Sequence, residues 1–75
     1  MKKAECAQMG IRAAEQMNER GVVHYKDECI SLGLCKNMYY DWRDGICAPS
    51  AYALRNMALR GYDVMYILTG IKTKA

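Results

Sequence analysis

Four cysteines (Cys6, Cys29, Cys35 and Cys47) and one histidine, His24, are the residues of this chain best suited to metal or nucleophilic chemistry. Four thiols and an imidazole would suffice for a tetrahedral zinc ion. No two of the cysteines, however, have the C-x₂₋₄-C spacing that lets one short turn present two ligands to one metal. His24 has no partner at catalytic spacing, no glycine-rich phosphate loop is present, and nothing near the cysteines favours a thiolate. The chain is also small for a closed substrate pocket. The expectation is a protein that is not an enzyme, with no cofactor, no small-molecule substrate and reduced thiols in a cytoplasmic setting.

The elements that must position any other chemistry are marked off by glycines. The spacing predicts helices over 3–20, 24–32, 36–44, 51–60 and 63–69, a loose tail over 71–75, and no strand, all within a single domain 1–75. In the first helix Cys6, Met9, Ala13 and Met17 recur at three- and four-residue steps and so share a face. Cys29, Leu32 and Ile30 are the inward candidates of the second, Tyr39 and Trp42 of the third. Ala51, Leu54, Met57 and Ala58 form the stripe of the fourth, and Val64, Ile67 and Leu68 that of the fifth. Met9, Met17, Met57 and Met65 read as gap-filling core. Gly21 stands where a left-handed cap can end the first helix, and Gly33, Gly45, Gly61 and Gly70 close the other four. Ser50 and Asp63 stand as N-caps of the last two. Pro49 keeps the tract before it out of helix.

One spacing is more specific. Where two helices cross closely through a tight turn, the first needs a small residue. A glycine four residues later admits positive φ, and an apolar residue follows at once. Two further apolar residues must then line the inner side of the second helix. Cys29, Gly33, Leu34, Tyr39 and Trp42 meet that requirement.

The tract Gly33-Leu34-Cys35-Lys36-Asn37-Met38-Tyr39-Tyr40-Asp41-Trp42-Arg43-Asp44-Gly45 resembles the turn and recognition helix of the Cro/repressor-type (XRE-like) phage regulators. Pro49-Ser50 resembles the start of that family's fourth helix, and Gly61-Tyr62-Asp63-Val64-Met65-Tyr66-Ile67-Leu68-Thr69-Gly70 its ending. The resemblance spans about Val22 to Gly70. It implies an all-α, five-helix bundle containing a helix-turn-helix, of the lambda-repressor-like kind. It also implies a repressor-like transcription regulator that binds double-stranded operator DNA. The base-contacting positions it implies are Lys36, Asn37, Tyr40 and Asp41, and those meeting phosphate are Tyr25, Lys26, Cys35 and the turn at Cys47. The chain departs from the family pattern at Glu28, where an apolar residue is usual, and at His24 and Cys35, where helix caps are.

The bulk composition bounds these expectations. A 52% hydrophobic, 25% charged chain with one proline is globular. Charges at Glu5, Arg12, Glu15 and Glu19 break up the first helix, which reads against an export leader or a membrane span. The net charge is only +3. Between Tyr25 and Gly45 three basic residues (Lys26, Lys36 and Arg43) meet four acidic ones (Asp27, Glu28, Asp41 and Asp44). Much of the positive charge lies instead at Lys2, Lys3, Arg12, Arg20, Arg55, Arg60, Lys72 and Lys74. Weak non-specific affinity calls for two copies on a two-fold operator, hence a homodimer, with the fifth helix and tail the first place to seek its surface. No effector or peptidase segment follows Gly70, which fits either a small complete regulator or a domain separated from a second one. The same local acidity, with the exposed tyrosines, supports the alternative of a protein-binding module on a helix-turn-helix scaffold without DNA binding.

Overall fold

Four successive helices end in the same hydrogen-bonded cap. In the computed structural model, which describes residues 3–72, α1 spans Lys3–Glu19, α2 Tyr25–Ser31, α3 Met38–Arg43, α4 Ala51–Leu59 and α5 Val64–Thr69. After α1, α2, α3 and α4, the second residue beyond the helix cap donates its N–H back to the carbonyl of the third-last helical residue. These bonds are Val22 to Met17 (3.2 Å), Leu34 to Cys29 (2.8 Å), Ile46 to Asp41 (2.9 Å) and Tyr62 to Met57 (3.0 Å). Each closes over a glycine at positive φ, such as Gly33 at +78°, where a Cβ would collide with the following carbonyl. The residue after the glycine is apolar and, in three cases, packs inward: Val22 and Leu34 partly, Tyr62 fully. Ser50 and Asp63 accept from Ala53 N–H at 3.1 Å and Tyr66 N–H at 3.2 Å as N-caps of α4 and α5. No strand occurs among the described residues.

The fold is all-helical and compact. α1 packs against α3 and α5, α2 against α3, and α4 against α5. The buried core draws on every helix: Ala13, Ala14 and Met17, then Cys29, Tyr39 and Trp42, then Ala53, Met57 and Ile67, with Leu32 and Tyr62 from the caps.

Several expected faces are rotated. Ile30 is 59% exposed rather than inward, because α2 turns Cys29 to the core and its neighbour necessarily points away. In α4 Ala53 is buried, whereas Ala51 and Ala58 are exposed. Alanines carry too little apolar signal to fix the phase of a nine-residue helix. The inward side is marked instead by the fully buried Met57, and Asn56 Nδ2 donates to the Leu32 carbonyl at 2.7 Å. Leu68 and Met65 of α5 lie on its outer side, exposed. Arg12 holds the end of that helix, donating from Nε to the Ile67 carbonyl at 2.9 Å. There a cation also meets the negative end of the helix dipole. Of the expected loose tail, Ile71 N–H donates to Thr69 Oγ1 at 3.1 Å and Lys72 pairs with Glu19 at 3.4 Å. Residues 73–75 lie outside the described residues.

Glu28, unusual for an apolar position, is explained by its tertiary partners. Its Oε2 accepts from the buried Tyr62 hydroxyl at 2.6 Å, and its Oε1 pairs with Arg60 at 3.6 Å. Arg20 lies over the Tyr62 ring at 4.2 Å and donates to the Arg60 carbonyl at 2.8 Å. Burial, followed by the Glu28 carboxylate, raises the Tyr62 phenol well above its ordinary range. An apolar residue at 28 would leave that hydroxyl buried without an acceptor. Glu28→Ala is therefore expected to cost about 2 kcal/mol, the usual price of orphaning a buried hydroxyl. In a Tyr62→Phe background the same change costs less than half as much. Urea unfolding of the four chains measures this coupling, and strict additivity would show that the pair does not matter.

Candidate nucleic-acid interface

The starts of α2 and α3 are brought together by three tyrosines. Tyr25, the first residue of α2, stacks on Tyr39, the second of α3, with ring centroids 3.8 Å apart and planes 5° from parallel. Tyr40 meets both edge-on, at 6.5 Å and 5.3 Å. Arg43, one turn further along α3, lies over the Tyr40 ring at 5.1 Å and pairs with Asp44 at 3.1 Å. Below them Trp42 is wholly buried. The hydroxyls of Tyr25 and Tyr39 donate to one oxygen, Asn18 Oδ1 of α1, at 2.6 Å and 3.2 Å.

Tyr25, Lys26 and Tyr40 converge on one shallow groove of about 290 Å³, completed by Val23, His24 and Asp27. Two expected phosphate-meeting residues and one expected base-meeting residue thus share a surface. His24 occupies the N-cap of α2, but its side chain makes no capping bond. The neighbouring Tyr39 phenol, then burial, raises the Tyr25 phenol, so at neutral pH it keeps the proton it gives to Asn18.

The other expected contacts fall differently. Lys36 and Asn37 are exposed, but they stand in the turn before α3 rather than on it; the helix begins at Met38, two residues later than the spacing predicts. Asn37 serves through its backbone, its carbonyl accepting from Tyr40 N–H at 3.1 Å, and its side chain makes no cap. Cys35, exposed in the same turn, accepts at its carbonyl from Met38 N–H at 3.0 Å. Asp41 and Tyr40 are half-buried. Cys47 is half-buried too, its thiol 3.8 Å from Met38 Sδ, so this side chain faces the protein, leaving the backbone of its turn for any outside contact.

The structure also removes some acidity from this surface. Glu28 is engaged by Tyr62 and Arg60, and Asp44 by Arg43. Much of the remote positive charge is likewise engaged, Arg12 on α5 and Arg20 and Arg60 around Tyr62. Burial raises the thiols of Cys29 and Cys47, which disfavours the thiolate. Among the described residues, no group of three or more His, Cys, Asp or Glu side chains could hold a metal ion, and no helix is long and apolar enough to cross a membrane.

Sequence reasoning missed Asn18 and Arg43. Arg43 had a local signal, since it lies three residues beyond Tyr40 and shares its face. Asn18 had none, because its partners are seven and twenty-one residues away.

Among the described residues the geometry defines an all-α fold of five helices with an aromatic, cation-flanked surface where α2 and α3 begin. Compared with protein-family models, curated proteins and solved structures, the chain finds no match in any of the three.

Proposed function

We propose that this chain is a sequence-specific DNA-binding regulator, repressor-like and acting as a homodimer on a two-fold operator, with α2, its turn and α3 forming a helix-turn-helix. The observation that carries the reading is the contrast along one short segment. Tyr39 and Trp42 are buried, while Lys36 and Asn37, just ahead of them, are exposed. Gly33 at positive φ and the fully buried Cys29 supply the turn and the close crossing that such a motif requires. In this reading Lys36 donates to guanine O6 and N7 and Asn37 pairs with adenine N6 and N7. Asp41 accepts from cytosine N4, and Tyr40 meets a thymine methyl or a phosphate. Lys36 and Asn37 approach the major groove from the turn, with α3 behind them. Lys26 and the backbone at Tyr25, Cys35 and Cys47 meet phosphates and set register. Half-sites then lie about 34–36 Å apart.

Selection of bound sequences from a random duplex pool tests the reading. A selected duplex should bind with a steep salt dependence, because phosphate contacts release counterions. Lys36→Ala and Asn37→Ala should each weaken that complex by roughly 1–3 kcal/mol while leaving the melting temperature nearly unchanged. Tyr40→Ala is a poorer probe, since its ring packs on Tyr25 and Tyr39 and its loss also loosens the fold. If both turn variants bind like the parent chain, the placement of the reading surface is wrong.

A second reading, a protein-binding module on the same scaffold, draws on a different surface. Ile30, Tyr52 and Leu59, all more than half exposed, border a groove of about 320 Å³ between α2 and α4. Absence of saturable duplex binding at any ionic strength would favour it.

A further inference from the structure

We propose that Asn18 is a positioning residue of the DNA-facing surface, one acceptor oxygen that aligns the starts of α2 and α3; this inference rests on the DNA-binding reading. An amide carbonyl has two lone pairs, and Asn18 Oδ1 uses both on phenol hydroxyls, from Tyr25 at 2.6 Å and Tyr39 at 3.2 Å. These tyrosines sit at the first position of α2 and the second of α3, so a single side chain of α1 ties two helix starts together.

The two helices need such an external tie. At seven and six residues they are far shorter than helices that hold themselves in water, so tertiary contacts decide their orientation. The ring geometry points the same way. Aromatic quadrupoles disfavour a face-to-face sandwich and prefer offset or edge-on pairs. Tyr25 and Tyr39 instead lie parallel and in close contact, with centroids 3.8 Å apart, a stack whose register two free phenols would not fix by themselves. Drawing both hydroxyls to one oxygen brings the rings into that register. Tyr40 then packs edge-on against the pair and, with Tyr25 and Lys26, lines the groove at the start of α2. Asn18 acts on DNA through this pair, without touching it.

The test uses the full chain with Asn18→Leu, which removes the acceptor at similar size, and Asn18→Asp, which keeps it. The signature of the parallel tyrosine pair, its contribution to the near-ultraviolet circular dichroism, is isolated, without DNA, as the difference between the parent chain and Tyr25→Phe/Tyr39→Phe. Asn18→Leu should lose that signature yet keep a cooperative melt, and Asn18→Asp should retain it. Against a selected duplex, Asn18→Leu should bind roughly tenfold more weakly, as expected when a reading contact is displaced. In a Tyr25→Phe/Tyr39→Phe background, Asn18→Leu should have no further effect, because the hydroxyls through which it acts are gone. An additive loss would make Asn18 a direct contact and overturn the positioning role. An unchanged tyrosine signature in Asn18→Leu would overturn the shared-acceptor geometry, whatever the DNA result. If the signature responds as expected but the parent chain binds no duplex, the DNA-binding reading fails, and with it the role assigned to Asn18.

Discussion

Replacing Gly10 by alanine is expected to destabilise the protein by about 3 kcal/mol, at the upper end of ordinary overpacking, although alanine is the better helix former. In an exposed helix interior the change would instead stabilise by about 1 kcal/mol. The sign reverses because Gly10 is buried mid-helix where α1 crosses the chain around α3. A Cβ there would stand 2.4 Å from the Cys47 carbonyl oxygen, 3.1 Å from that of Trp42 and 3.2 Å from Trp42 Cα. All three are backbone atoms, so no side-chain rotation relieves the clash. α1 must withdraw by about 1 Å to restore an ordinary carbon–oxygen contact, and it loosens its packing on Trp42 in doing so. Against a total stability of roughly 4–11 kcal/mol for a chain of this size, the loss is severe. Gly21→Ala is the control: it has nothing within 4 Å and φ of +79°, so only the left-handed strain of about 1–2 kcal/mol applies. Urea unfolding separates the two, and a Gly10→Ala chain at least as stable as its parent would refute the close approach.

Trp42→Ala carries the largest expected effect, about 3–5 kcal/mol, enough to unfold much of the population. Trp42 is the largest fully buried side chain, with no exposure at all. Its indole Nε1 is also buried without a hydrogen-bond partner among the described residues. An N–H taken from water without a partner costs about 1–3 kcal/mol, so the residue stabilises through its area and loses part of that gain at one atom. Trp42→Phe should therefore cost less than half of what Trp42→Ala costs, because the smaller cavity is partly offset by removal of the orphaned donor. Thermal melts of the two variants make the comparison. Equal losses would mean that packing volume alone governs the site.

These variants separate what local pattern reveals from what it hides. Cys29, Tyr39 and Trp42 could be identified as core from spacing alone, since a large aromatic or a small residue at the right step of a helix leaves few choices. Ile30, Ala51, Ala58, Met65 and Leu68 could not be assigned that way. In helices of six to nine residues an apolar residue one position off the true face fits the periodicity almost as well. The expected start of α3 at Lys36 failed for a related reason. Propensity does not distinguish a helical first turn from the tight turn that Cys35 and Asn37 form through their carbonyls. At the candidate interface, Lys36, Asn37, Tyr40, Tyr25 and Lys26 were reachable from the resemblance of the turn tract, whereas the linkage of Tyr25 and Tyr39 through Asn18 was not.

The amino-acid sequence by itself determined where the helices stop and which few large residues go inside. A glycine's freedom at positive φ and a tryptophan's apolar area are properties of single residues and act wherever those residues occur. The tertiary structure alone decided that Gly10 is a crossing point, that Glu28 serves Tyr62 and Arg60, and that Asn18 joins two helix starts. Each of those roles depends on atoms distant in the chain, and no local rule of spacing brings such atoms into view.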